Sequence, residues 1–373
     1  MSPRGDVRAD LLSDMGAVGA ISGEWRALPA PAAAPCPTSG PEFLEAWLAT
    51  LGRDASPRVV AVRRGDRLLG VVPLVAQTLR ARDGGRQVSL AGSRRPPMTD
   101  LADVRVVPGE ELAVARAAAE LLQASAASWD TLYVGHAAAE SRTVAGLMAF
   151  AERYGWISVV RARTAMVIDT TGPWEAYRER LPRGVRTLPR RLRRLERMGD
   201  LRVERGLTGE AGADALRRLM DVYRARWGEG NWLDDPVYRD FLERFRAALG
   251  PDGARVAGLW LDGVPLAQLL VLREDDRDQV LMLAVDPEHP GRHETPGTLL
   301  EYLVIEQGFA DQTREVHLLH TVSREKLALS THVVGELTWI ALSPQARPGP
   351  SLALPAVEAG ITAVRLARGR RRG

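Results

Sequence analysis

Two spacings of apolar residues alternate along this chain, and the switches between them predict its elements. Short apolar runs of strand length lie at 86–90, 103–107, 131–134, 157–160, 165–168, 279–285 and 315–320, and 58–76 reads as two strands around a tight turn at Arg64-Gly65-Asp66. Helical spacing marks 42–51, 110–125, 137–154, 181–199, 214–227, 236–249 and 298–310. Strands and helices are interspersed, which predicts an α/β molecule (α+β, with mixed sheets flanked by helices) rather than a bundle or a sandwich. Residues 1–40, rich in Ala, Pro, Gly and Ser, are expected to form a flexible lead-in, and 346–373 a basic tail.

Part of this plan recurs. Residues 255–267 match 58–70 in apolar pattern and in the position of a Gly/Asp turn, at a constant offset of 197. A Gly/Asp turn between apolar strands is also a generic hairpin, which is the competing explanation. The length of 373 residues exceeds what one compact core holds. The repeat therefore divides the chain into a first domain at 41–170 and a second at 171–345.

One stretch of the second half carries chemistry. An apolar strand ending at Leu283, Ala284 and Val285 runs through a loop into Arg292, His293, Glu294, Thr295, Pro296, Gly297, Thr298 and Leu299, where a helical pattern begins. Thr295 suits an N-cap, Pro296 the first helical position, and Thr298 with Glu301 a capping box. The amides of Gly297, Thr298 and Leu299 then face outward and, with the helix dipole, favour an anion. Gly297 is expected to let a phosphate approach the backbone. His289 and His293 also suit anion contact.

Two neighbouring stretches add to this picture. Residues 181–199 hold Arg183, Arg186, Arg190, Arg191, Arg193, Arg194 and Arg197 against a narrow edge of Leu188, Leu192 and Leu195. That pattern docks a helix on a core and leaves a positive outer face. The face is either merely solvated or meets coenzyme phosphates, an acidic carrier protein, an anionic lipid surface or a tRNA backbone. In 228–235, Trp232, Asp234 and Asp235 lie among glycines just after Trp227, a composition able to meet a cationic or amine acceptor. Alternatively the aspartates simply cap the helix that starts at Pro236.

Composition excludes several classes. Formal net charge is only +3, and Lys326 is the sole lysine, so the pI of 9.3 reflects arginine rather than a large charge excess, and DNA binding is not implied. No apolar run is long enough to span a membrane and no signal peptide is evident, so a cytoplasmic location is expected. The one cysteine, Cys36, makes no internal disulfide. Six dispersed histidines without an HExxH or CxxC pattern argue against a metal enzyme.

The pattern Arg292-x-x-Thr295-x-Gly297 resembles the coenzyme A loop of GNAT-type acyltransferases, with Thr295 in place of the first glycine. The order of basic helix, strand, helix ending in Tyr223-Arg224-Ala225-Arg226-Trp227, second helix, hairpin, loop and strand is similar to the CelD/BcsL type, which is related to the FemAB aminoacyl transferases and has tandem GNAT-like domains. The resemblance covers about 40–345 and implies an N-acyltransferase that uses acyl-CoA (acetyl-CoA or longer) or an acyl carrier protein as donor. The acceptor would be an amine on a small molecule, sugar or peptide. It further implies that 279–285 splays from 315–320 to open an acyl slot, with amides near 283–285 at the thioester carbonyl. An amine nucleophile needs a base, for which His320 and Glu325 are the candidates. Only the second half holds the loop. The competing expectations are an aminoacyl-tRNA-dependent transferase, against which the absence of a long helical arm counts, and a non-catalytic anion-binding scaffold with a degenerate loop.

Overall fold

The computed structural model describes residues 6–78, 85–93, 101–318 and 323–346. Among these, strands form two sheets. Four strands, Val7–Leu12, Val59–Arg64, Arg67–Val72 and Arg105–Val106, lie side by side in that order. The other eleven run across the molecule in the order Leu201–Leu207, Ala254–Leu261, Val264–Glu274, Arg277–Val285, Glu315–His317, Ser158–Asp169, His332–Leu342, Thr131–Ala138, Arg86–Leu90, Leu74–Thr78 and Ala55–Pro57. The expected α/β architecture, mixed sheets flanked by helices, is the one observed.

The repeat is visible in the backbone. Val59–Arg64 pairs with Arg67–Val72 through Arg63↔Leu68 and Val62↔Gly70, and Ala254–Leu261 pairs with Val264–Glu274 through Trp260↔Pro265 and Leu259↔Ala267. Every pair in one hairpin maps onto the other at the 197-residue offset, including the register shift between Val62 and Arg63 and between Leu259 and Trp260. A generic hairpin has no reason to place its bulge at the equivalent residue.

The halves are not separate bodies. Ser158–Asp169, the last strand of the first half, pairs with Glu315–His317 of the second, while the final strand His332–Leu342 inserts between it and Thr131–Ala138. Each half thus gives a strand to the other, so no cut near residue 170 divides the sheet. The expected pair of strands at 157–160 and 165–168 is one continuous strand, because it must reach both neighbours.

Residues 6–40 do not form a loose lead-in. They contribute a strand, a helix at Met15–Arg26 capped by Asp14, and a buried connector. Trp25 and Val18 are fully buried, and Phe43 of the helix Pro41–Ala49 meets Phe241 and Phe245 edge-on at 5.7 and 5.2 Å, joining the two halves in one core. Arg277 donates to the carbonyls of Pro31 and Ala32, and Glu274 accepts from Arg105 and from the amide of Cys36. Ala/Pro-rich composition signalled disorder here, but small residues are what a connector needs to thread between two packed halves.

Candidate functional site

The site is built where Arg277–Val285 parts from its neighbour. Arg277, Asp278 and Gln279 pair in parallel with Glu315, Val316 and His317, and the pairing stops there, although Arg277–Val285 continues beside Val264–Glu274 as far as Ala267↔Val285. A β-bulge explains the parting. Val271 pairs with Val280 and Leu270 with Met282, so Leu281 is an extra residue placed two positions after the last parallel pair, Gln279 with His317. Such an insertion bends its strand and increases local twist. The other strand leaves in the opposite sense, since the amide of Leu318 donates to Met166 O at 2.9 Å. The far wall is the start of Ser158–Asp169, exposed at nearly every residue from Ser158 to Thr164 because it is paired on one side only.

Register also decides which amides face the gap. Asp286 N donates to Leu266 O at 3.0 Å, which makes that pair hydrogen-bonded. In an antiparallel ladder the next pair is not, so the amides of Leu283 and Val285 turn toward the open edge while that of Ala284 is spent on Gln268.

Beyond Val285, the chain turns through a short 3-10 helix, Pro290–Glu294, into the helix Pro296–Ala310. Thr295 lies between them in the left-handed region (φ 52°, ψ 52°) and makes no side-chain cap. The expected cap and capping box are therefore absent; Thr295 holds the conformation a glycine would hold, and Thr298 sits inside the first turn. Leu299 N bonds Thr295 O at 3.0 Å, so of the three amides expected to be open, those of Gly297 and Thr298 remain. Gly297 also has a packing role. A Cβ there would meet Val285 Cγ2 at 3.1 Å and Leu283 Cδ2 at 3.4 Å, so its bareness seats the helix on the strand. His289 is buried and its Nδ1 accepts from Gly291 N at 3.0 Å, which removes it from the anion-contacting group.

Arginines surround this loop. The helix Leu188–Met198 buries Leu188 and Leu195 as its pattern foretold, and Leu195 packs against the space above Gly291. Arg191 Nη1 donates to His293 O at 3.4 Å, Arg194 pairs with Glu294 at 3.5 Å, and the exposed Arg292 bonds Glu288 O at 3.3 Å. Pairing with Arg194 offsets the Glu294 carboxylate, which would otherwise repel an anion here.

The expected base residues fare unequally. His320 and the strand residues beyond Leu318 lie outside the described residues. Glu325 is exposed in the first turn of the helix Arg324–Leu329. Sequence reasoning missed Glu301, assigned there to a cap. It is 2% exposed, and burial lifts its carboxyl to about 7, opposed by Lys326 and reinforced by Glu325. Lys326 Nζ stands 3.9 Å from Glu301 Oε1 and donates to Leu318 O at 2.6 Å, which ties this pair to the strand end at the gap.

The proposed acceptor loop is largely a structural clasp. Asp235 caps the helix Pro236–Gly253 by accepting from Val237 N at 3.0 Å. Asp234 accepts from Arg224 at 3.1 Å and Gly230 N at 2.6 Å, which keeps its carboxyl below the ordinary range. Trp232 lies between Tyr223 and Tyr238 and bonds the Tyr223 hydroxyl. Trp227, 50% exposed, stays accessible.

Residues 183–327 match a family profile described as an Acetyltransferase (GNAT) domain. The crystal structure of FemX superposes with a TM-score of 0.58 at 12% identity, over 85% of this chain and 94% of that one. L-PGS from Bacillus licheniformis gives 0.49 at 13% identity, over 87% and 96%. A tandem GNAT protein from the clavulanic acid biosynthesis pathway, solved without AcCoA, gives 0.46 at 18% identity, over 91% and 99%. No curated protein matches the chain. At such identities the likeness concerns fold, and the fold is GNAT-like: a mixed sheet flanked by helices, with the profile match on the half that holds the bulge, the gap and the loop.

Proposed function

We propose that this protein is an N-acyltransferase of the CelD/BcsL type, working in the cytoplasm, that moves an acyl group from acyl-CoA or an acyl carrier protein to an amine. The observation that carries this reading is the bulged strand whose open amides, at Leu283 and Val285, lead directly to the helix terminus at Gly297 and Thr298. A pantetheine arm is an extended chain of amides, and an unpaired strand edge is its natural complement. At the end of that edge, two helix amides with Arg191, Arg194 and Arg292 receive the pyrophosphate. The thioester carbonyl then sits in the gap, where the Leu283 or Val285 amide stabilises the oxyanion that forms when the amine attacks. Binding in this way supplies orientation. Glu325 and the buried Glu301–Lys326 pair are described groups available to accept the amine's proton; His320, outside the described residues, remains the candidate the sequence offers. Trp227 is the described aromatic left to face an acceptor.

Isothermal titration with acetyl-CoA and longer acyl-CoAs tests the donor site. Saturable binding is expected; if neither any acyl-CoA nor an acyl carrier protein binds, the reading with an acyl thioester donor is wrong, and an aminoacyl-tRNA-dependent transferase or an anion-binding scaffold remains. Val285→Pro removes one outward amide without touching the ladder on the other side. Turnover should then fall roughly 100-fold or more with the fold intact by circular dichroism. A second donor, aminoacyl-tRNA, is favoured by the seven arginines between 183 and 197; filter binding of charged tRNA, competed by acyl-CoA, separates the two.

A further inference from the structure

A cavity of about 420 Å³ in the first half takes no part in the transfer chemistry above. It lies where the two sheets part. Arg67–Val72 belongs to the four-stranded sheet and Leu74–Thr78 to the eleven-stranded one, and the chain crosses between them at Pro73. Leu11 and Val60 line the cavity from the first sheet, Val88 from the second, and Leu121 from the helix Glu111–Ala124.

Polar side chains share the lining with these apolar ones, among them Gln87 and Arg58. Gln87 is 1% exposed; its Nε2 donates to Thr131 Oγ1 at 3.3 Å, and its Oε1 has no partner. A buried amide oxygen left unpaired is destabilising, so a ligand N–H or O–H placed there is favoured. Arg58 lines the same space half-buried, its amide bound to Leu74 O at 2.8 Å and its guanidinium without a carboxylate partner among the described residues. Arg86 is held by Asp130 and by Ala127 O, and Arg53, exposed at the rim, bonds Ala49 O. Arg58 thus sets a half-buried positive charge in a space of small-molecule size.

We propose that this cavity binds a small organic monoanion: a carboxylic acid with an apolar side chain and an N–H or O–H donor next to the carboxylate. The carboxylate pairs with Arg58, the neighbouring donor bonds Gln87 Oε1, and the apolar group fills the space between Val60, Val88 and Leu121. An acid without the donor leaves Gln87 unpaired, and a neutral amide leaves Arg58 unpaired.

N-acetyl-L-leucine has all three features and serves as the probe, titrated into the full chain by calorimetry beside N-acetyl-L-leucinamide, which lacks the charge. Saturable binding of the acid is expected, at least tenfold tighter than that of the amide. Arg58→Gln, a half-exposed substitution that spares the core, should weaken it tenfold or more while acyl-CoA binding is unchanged. Gln87→Leu should likewise lose the acid. Absence of binding up to millimolar acid, or equal binding to wild type and Arg58→Gln, overturns the proposal; displacement of the acid by acyl-CoA would place it at the other site and overturns it too.

Discussion

Thr295 holds a backbone conformation that β-branched residues avoid, at the point where the loop becomes a helix. Its φ of 52° is set by the need to turn from the 3-10 segment into Pro296. Exchange for glycine removes the Cβ strain at a site where the side chain makes no cap. Thr295→Gly is expected to stabilise the fold by about 1 kcal/mol in reversible denaturant unfolding; a loss of stability would show that the threonine makes a contact worth more than its strain. Glu301 yields a prediction with a pH signature. Its carboxyl rises from 4.5 to about 7 on folding, chiefly through burial, so the folded chain keeps a proton that the unfolded chain has released between those values. Stability from this group therefore falls as pH rises from about 4.5 to 7 and is level above. Glu301→Gln carries no such loss: it should match wild type below pH 5 and exceed it by about 3 kcal/mol at pH 8. Cys36, by contrast, is buried and its thiol is pushed up to about 12, which fits a packing residue rather than a nucleophile.

At the scale of elements, the bulge at Leu281 and the helix Leu188–Met198 do the positioning. The arginine face foreseen along 181–199 is the face beside the loop, although its contacts to His293 and Glu294 depend on how the helix docks. Reversing Arg191 and Arg194 to glutamate together is expected to weaken acyl-CoA binding more than tenfold and to flatten its dependence on salt between 50 and 300 mM, a range over which the Debye length shortens from about 14 to about 6 Å. If affinity drops but the salt dependence stays that of wild type, the arginines act by shaping the loop and not by meeting phosphate. The aspartates at 234 and 235 teach the converse. Their composition suited an amine acceptor, but a helix start at Pro236 and an arginine at 224 were enough to occupy them.

For the whole molecule, the exchanged strands tie the halves together. A fragment ending at 170 lacks the strand His332–Leu342 and one beginning at 171 lacks Ser158–Asp169, so each bares a sheet edge and loses the Phe43–Phe241–Phe245 contact. Expressed separately, 1–170 and 171–346 should be aggregated or unfolded by size-exclusion chromatography and circular dichroism, and co-expressed they should recover a stoichiometric complex. Two well-folded monomers would refute the exchange.

The sequence by itself determined most elements between residues 41 and 310, the 197-residue repeat and the strand–loop–helix that carries the proposed donor site, because each rests on local periodicity and turn residues that few neighbours can override. Most helices fall within a few residues of where the apolar spacing placed them. Only the tertiary structure decided the rest. That residues 6–40 are core, that Gly297 seats its helix against Val285 and Leu283, and that Glu301 is buried beside Lys326 all depend on partners distant in the chain. The bulge at Leu281 has no glycine to announce it, since it is produced by the register of the neighbouring strand. Strand exchange is equally silent in sequence: an apolar run specifies that a strand will be buried, and the docking of the two halves specifies beside which partner.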